Sequence, residues 1–247
     1  MPRLSVNLNK IATLRNTRSL GLPNVVHFAA IALNAGAHGI TVHPRPDQRH
    51  IRAADIDALA ELLQGYPTAE YTIEGNPFHG LVEHCLRVRP VQALLVPDEH
   101  TALTSNHGWD LLRLDAATRR ALTHSIRTLH DAGIRVSLFV EPQPEVMPIV
   151  RSLGAERVEL YTEPYASASV TGQAVEVLER YARAAHAARD AELGVNAGHD
   201  LNLQNLGSFL KGTGRIDEVS IGHALIADAL EFGMAEATRR YLEICRS

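Results

Sequence analysis

Several short β-branched runs in this sequence stop at a group that can exchange a proton or meet an anion. Gly39-Ile40-Thr41-Val42 runs into His43, and Tyr71-Thr72-Ile73 runs into Glu74. Val195-Asn196-Ala197-Gly198 leads to His199, and Val219-Ser220-Ile221-Gly222 leads to His223. Histidines and a partly buried carboxyl suit general acid–base catalysis, because both can titrate near the working pH. A glutamate that ends an apolar strand is expected to be partly buried, with its pKa pushed up towards neutrality. Taken singly, each group has a plainer reading: a histidine packed in the core, a glutamate in a structural ion pair. Their coincidence at four run ends points to chemistry.

Two further features concern anions. The turns Gly198-His199-Asp200 and Gly222-His223-Ala224 combine a glycine, which lets backbone approach a ligand closely, with the start of a following helix. They fit a phosphate site, or simple strand-to-helix turns. His43-Pro44-Arg45-Pro46-Asp47-Gln48-Arg49-His50 is stiffened by its prolines. Its Arg45, Arg49 and His50 could hold a second phosphate or a polyhydroxy chain, or form a solvated surface loop. Lys10 and Lys211 are the only lysines, so a Schiff-base lysine would have to be one of them. Lys211 lies in a Lys-Gly-Thr-Gly stretch that reads as a solvated turn, and Lys211-Gly212-Thr213-Gly214-Arg215 fits no dinucleotide fingerprint.

The elements that must position these groups alternate along the chain. Strand-like runs begin near Leu4, Gly39, Glu70, Gln92, Ile134, Arg157, Gly194 and Asp217. Helical periodicity fills the gaps, over Asn24–Ala35, Ala53–Leu63, Thr118–Ala132, Thr171–Ala191 and Ala224–Cys245. Eight alternations predict an α/β fold, a parallel sheet closed into a (β/α)8 TIM barrel, as a single domain over residues 1–247. In such barrels the C-terminal strand ends converge on one mouth, where the chemistry takes place. The loop from Pro97 to Leu114 is long for a barrel connection, and its 104–110 portion reads as an ordered lid or binding loop.

Bulk properties exclude several classes. A net charge of −4 over 247 residues makes no case for nucleic acid or an anionic membrane. No apolar run approaches the ~18 residues needed to span a bilayer. The N-terminal residues lack the apolar region of a signal peptide. Cys85 and Cys245 have no metal-ligand spacing and suit a reducing, cytoplasmic setting, with Cys85 reading as core packing.

The chain resembles the pyridoxine 5′-phosphate synthase family. The resemblance rests on Val6-Asn7, Ile11-Ala12-Thr13-Leu14-Arg15-Asn16, Gly39-Ile40-Thr41-Val42-His43 with Arg45, and Arg49-His50-Ile51. It continues through Val136-Ser137-Leu138-Phe139, Val195-Asn196-Ala197-Gly198-His199 and Ile221-Gly222-His223-Ala224. It implies a cytoplasmic, homo-octameric barrel, a transferase-type synthase of vitamin B6 biosynthesis needing neither metal nor organic cofactor. The implied reaction condenses 3-amino-2-oxopropyl phosphate with 1-deoxy-D-xylulose 5-phosphate to give pyridoxine 5′-phosphate, phosphate and water. Catalytic work is implied at His43, Glu74 and His199. Substrate contacts are implied at Asn7, Arg18, Arg45, His50 and Thr104, with Gly222 and His223 at the product's phosphate.

Three departures mark a divergent branch. Asn9-Lys10 stands where many relatives carry Asp-His, Asp200 where many carry glycine, and Glu163 where a glycine commonly follows the sixth strand's threonine. Asn9, Lys10 and Asp200 are expected among the substrate contacts, Lys10 at the end of the first strand and facing the mouth. His43 and Glu74 would act as proton shuttles on neighbouring strands and His199 from the opposite side, while arginines and backbone amides hold the two phosphorylated ends. Two other readings stay open on the residues: a metal-dependent sugar-phosphate epimerase or aldolase, and a silent barrel that binds pyridoxine phosphate.

Overall fold

A computed structural model of the chain describes residues 1–98 and 105–247. Its parallel strands close into a barrel in sequence order: β1 Arg3–Asn7, β2 Gly39–Val42, β3 Glu70–Gly75, β4 Gln92–Leu95, β5 Arg135–Val140, β6 Arg157–Leu160, β7 Gly194–Ala197 and β8 Glu218–Ile221. β8 closes on β1, with Val6 opposite Ile221. Helices follow the strands on the outside: α1 Asn9–Asn16, α2 Val25–Asn34, α3 Ala53–Leu63, α4 Leu81–Val88, α5 Ala116–Asp131 and α6 Met147–Leu153. The rest are α7 Glu163–Thr171, α8 Ala174–Asp190, α9 Leu206–Thr213, α10 His223–Phe232 and α11 Met234–Arg246. The (β/α)8 expectation holds.

Alternation along the strands splits the interior in two. One set of side chains, including Val6, Ile40, Val42, Ile73, Leu138, Leu160, Val195 and Ile221, is fully buried between sheet and helices and forms the main apolar core. The other set fills the barrel, and it is polar where barrels usually carry branched apolar residues. At its lower end Arg135 donates to Gln92 Oε1 at 2.9 Å and pairs with Glu70, while Arg3 Nε lies 3.3 Å from Glu70 Oε1. Arg157 donates to Asn196 Oδ1 at 3.0 Å and lies 3.7 Å from the buried Glu218. Burial pushes the Glu218 carboxyl up to about 7, against the pull of Arg157. One layer higher, the Ser5 and Thr41 hydroxyls meet at 2.7 Å.

The helix boundaries differ from expectation at three places. The run read as a helix over Thr171–Ala191 starts later, at Ala174 in α8, after a break from α7, and the run over Ala224–Cys245 is broken between α10 and α11. The breaks fall at Gly172 and Gly233, whose φ values of 77° and 79° are left-handed and end a right-handed helix. α5 starts two residues before Thr118 because Asp115 caps it, accepting from the backbone N–H groups of Ala117 and Thr118. Lys211 lies in α9 rather than in a turn, and is exposed. Cys85 is fully buried in α4, its thiol pushed by burial up to about 12, as suits a packing residue.

Candidate active site

The strand ends converge on a cavity of about 460 Å³ at the C-terminal mouth. Asn7, Asn9, Lys10, His43, Arg45, His50, Glu74, His199, Asp200, Gly222 and His223 all reach its lining, from β1 round to β8. Arg18 does not. It is exposed beyond the C-terminus of α1. Thr104 lies outside the described residues.

Glu74 is the most heavily engaged group. Its Oε1 accepts from Asn7 Nδ2 and Asn9 Nδ2, each at 3.1 Å, and lies 3.6 Å from His43 Nδ1. The asparagines brace one another and the next strand: Asn9 N–H donates to Asn7 Oδ1 at 3.0 Å, and His43 N–H donates to Asn9 Oδ1 at 2.8 Å. Burial alone would raise the Glu74 carboxyl, but His43, Asn9 and Asn7 together outweigh it and bring the pKa down to about 2. The expectation of a neutral-range Glu74 is therefore corrected. It is a fixed carboxylate, because three donors converge on one oxygen.

The His43–His50 loop is also less cationic than its sequence reads. Arg45 is buried and paired with Asp98, and Arg49 with Asp47. His50 Nδ1 accepts the N–H of Ile51 at 3.0 Å. Burial, then the nearby His43 and Arg45, bring the His50 pKa down to about 3, so this ring is neutral. The His50 carbonyl accepts from Arg15 at 3.0 Å and Asn16 at 2.8 Å, so the Arg15-Asn16 pair at the end of α1 anchors the loop. Lys10, expected at the end of β1, sits in the first turn of α1. It is exposed yet lines the cavity.

Across the cavity, His199 Nδ1 and Asp200 Oδ2 are 2.9 Å apart, and the His199 ring stands edge-on to Tyr161 at 5.4 Å. Phe139, Tyr161, Leu94 and Val96 form a small apolar cluster of their own, which shields this side of the barrel. The Gly198 and Gly222 turns are required by close packing. A Cβ on Gly198 would lie 2.1 Å from the Ser220 carbonyl oxygen, and one on Gly222 would lie 3.2 Å from Asn7 Cβ. His223 opens α10 with Gly222 as its N-cap, so the positive end of that helix faces the cavity rim.

Among the lining residues that escaped the sequence reading is a further carboxyl. Glu159 is buried in β6 on the cavity floor. Burial first, then the charges of Glu74 and Glu218, raise its pKa well above the ordinary range and favour the neutral acid. The signal was present in Arg157-Val158-Glu159-Leu160, where an alternating strand carries a charged residue at an inward position. It was hidden because the group lies one layer below the strand end. Among the described residues, no group of three His, Cys, Asp or Glu side chains is placed to hold a metal ion.

A closed parallel barrel whose mouth gathers a carboxylate, histidines and a lysine around a cavity at the C-terminal strand ends has the architecture of a (β/α)8-barrel enzyme. Residues 4–247 match the model of the family described as "Pyridoxal phosphate biosynthesis protein PdxJ", and the chain belongs to that family. A pyridoxine 5′-phosphate synthase from Albidiferax ferrireducens is 51% identical over 247 residues, covering 97% of this chain and 96% of its own length. One from Xanthomonas axonopodis pv. citri is 49% identical over 252 residues, covering 99% and 97%. Among solved structures, thiamine phosphate pyrophosphorylase from Pyrococcus furiosus shares the fold, with a TM-score of 0.61 at 16% identity over 98% of this chain and 94% of that one.

Proposed function

We propose that this chain condenses 3-amino-2-oxopropyl phosphate with 1-deoxy-D-xylulose 5-phosphate and closes the ring to pyridoxine 5′-phosphate, releasing phosphate and water. The family membership supports the reaction. The observation that carries the assignment of roles is the placement of Glu74 with His43 on one wall of the cavity and His199 on the other. The reaction needs proton delivery to a departing oxygen, as the amine and ketone join, and proton removal from carbon during elimination and ring closure. Glu74, held ionised 3.6 Å from His43 Nδ1, is the carboxylate of this wall, and the pair takes and returns protons on its side. His199 serves the opposite face of the substrate. Glu159, as a neutral acid on the floor, can donate to an oxygen that gains charge.

Lys10 and the N-terminus of α10, with Gly222 and His223, hold the two phosphorylated ends, which turns a bimolecular condensation into a positioned one. Asn7 and Asn9 act through Glu74. We assign Arg45 and His50 to shaping the wall, since Arg45 already pairs with Asp98 and His50 is neutral. The chain works as one domain and assembles with further copies of itself, octameric by its family. Leu14, Leu20 and Leu22, all more than half exposed around the α1–α2 connection, offer an apolar surface for that assembly. The free cysteines suit a cytoplasmic setting, and no helix among the described residues is long and apolar enough to cross a membrane. The test is to mix the two substrates with the purified chain and follow the ultraviolet absorption of a 3-hydroxypyridine. Its appearance is expected. Its absence, with a folded protein whose melting temperature inorganic phosphate still raises, would overturn the reaction but leave the phosphate site standing.

A further inference from the structure

Asp200 stands in a conformation that residues other than glycine rarely adopt. Its φ is 65°, in the left-handed region where side chains other than glycine are strained by about 1 kcal/mol or more. The carboxylate at this position lies 2.9 Å from the ring Nδ1 of the preceding residue, His199. That contact is a poor source of fold stability. Asp200 is 40% exposed, the partners are sequence neighbours, and an exposed ion pair contributes about 0–1 kcal/mol. The backbone strain is therefore not offset by what the pair does for the fold.

The pair instead restricts one ring. The His199 carbonyl accepts from Thr162 Oγ1 at 2.6 Å, and the imidazole makes a T-shaped contact with Tyr161. What the backbone leaves open is the rotation of the ring and the choice of which nitrogen carries the proton. A carboxylate on Nδ1 settles both, by accepting the Nδ1 proton. Both residues line the cavity, so the ring thus oriented belongs to the reaction space.

We propose that Asp200 is a positioning residue for proton transfer: it accepts the Nδ1 proton of His199 and leaves Nε2 as the atom that exchanges a proton with substrate. The inference rests on the reading of His199 as catalytic. In the step where a carbinolamine loses its hydroxyl, the proton passes from Nε2 to that oxygen. The C–O bond breaks with its electron pair leaving on water, the substrate nitrogen closes the iminium, and the ring, an imidazolium before the transfer, is left neutral with its Nδ1–H still donated to Asp200. The hydrogen bond from His199 is also the foremost cause holding the Asp200 carboxyl below its ordinary range, so it stays ionised through neutral pH. Among the described residues, the other titratable groups around the pair are Tyr161 just after β6, Glu163 at the start of α7, Glu141 after β5, Lys10 on α1 and His223 on α10. Lys10 and His223 favour the charged Asp200, while Glu163 and Glu141 act first on Tyr161.

The experiment compares the full-length parent with Asp200→Asn, Asp200→Gly, Asp200→Glu and His199→Asn. It reads kcat and KM against pH, thermal melting, and the ring titration of His199 by NMR. Asp200→Asn and Asp200→Gly should lower kcat by about tenfold or more with KM little changed, as loss of an orienting partner does. Both should move the His199 titration to lower pH, and Asp200→Glu should restore part of kcat. Asp200→Gly, freed of strain, should melt no lower than the parent. An unmoved titration in Asp200→Asn, or a kcat loss explained by a lower melting temperature, would overturn the proposal. Parent-like turnover in His199→Asn would instead overturn the catalytic reading of His199 itself, which keeps the two failures apart.

Discussion

Replacing Glu74 with glutamine tests both the site's electrostatics and its chemistry. Glutamine keeps an acceptor oxygen for the Asn7 and Asn9 amides but carries no charge, so it imitates a protonated Glu74. The folded carboxyl titrates at about 2 against an ordinary 4.5. At about 1.4 kcal/mol per pH unit, that difference makes the ionised form stabilise the fold by about 3 kcal/mol. Because the folded value is the lower one, this stabilisation is fully present above pH 4.5 and is lost as pH falls towards 2. Glu74→Gln should therefore melt roughly 6–12 °C below the parent at neutral pH, as expected for about 3 kcal/mol in a chain of this size. The two melting curves should converge as the pH is lowered through the same window. Turnover should fall by ~10²-fold or more, because His43 loses its counter-ion and the wall its acceptor. A variant that melts with the parent at neutral pH, and shows the same acid sensitivity, would refute the convergence of donors on Glu74 as the cause of its charge.

Other outcomes follow from the same geometry. His50 titrates at about 3 when folded against an ordinary 6.5, so its neutral form favours the fold above 6.5 and that contribution fades as pH drops from 6.5 to 3; His50→Gln should show a flatter loss of stability over that range in urea titrations. Lys10→Met should raise KM by about tenfold or more while Lys10→Arg retains part of the activity, and borohydride with the deoxyxylulose substrate should leave no adduct on Lys10 by mass spectrometry. Gly198→Ala would drive a methyl into the Ser220 carbonyl and should destabilise the chain by about 2 kcal/mol or more, whereas Gly222→Ala, with only Asn7 to displace, should be milder in the same melts.

The barrel was legible because its outward strand residues are β-branched or aliphatic runs separated by helical periods, and both signals are local. The mouth was legible because strand ends in a barrel must converge, which put His43, Glu74 and His199 in one place from their run positions alone. What escaped depended on partners distant in sequence. The pKa of Glu74 turns on burial, opposed by His43 just after β2 and by Asn9 and Asn7 from the start of α1 and the end of β1. The quiet state of Arg45 turns on Asp98, far along the chain, and that of His50 on its burial. Arg18 lies beyond the end of α1, exposed and outside the cavity lining. The helix over 224–245 was misread because its periodicity continues across Gly233, and only the left-handed backbone there stops it.

The charged lower end of the barrel has a consequence for assembly. Alternation of inward and outward side chains forbids a strand from slipping by one residue, yet a slip by two preserves that parity and buries the same apolar faces. A barrel lined only with aliphatics would discriminate weakly between such registers. Here a two-residue slip of β6 would bring Glu159 to the level of Arg157, so that Glu218 would face a carboxyl instead of a guanidinium. A like slip of β5 would set Ser137 where Arg135 now answers Glu70 and Gln92. The first error sets two carboxyls against each other in the barrel and the second leaves Glu70 with Arg3 alone, so each costs ion-pair energy that the native register keeps. The ion pairs thus act as an address code for the strands, admitting one closure of the ring among several that hydrophobicity alone would tolerate.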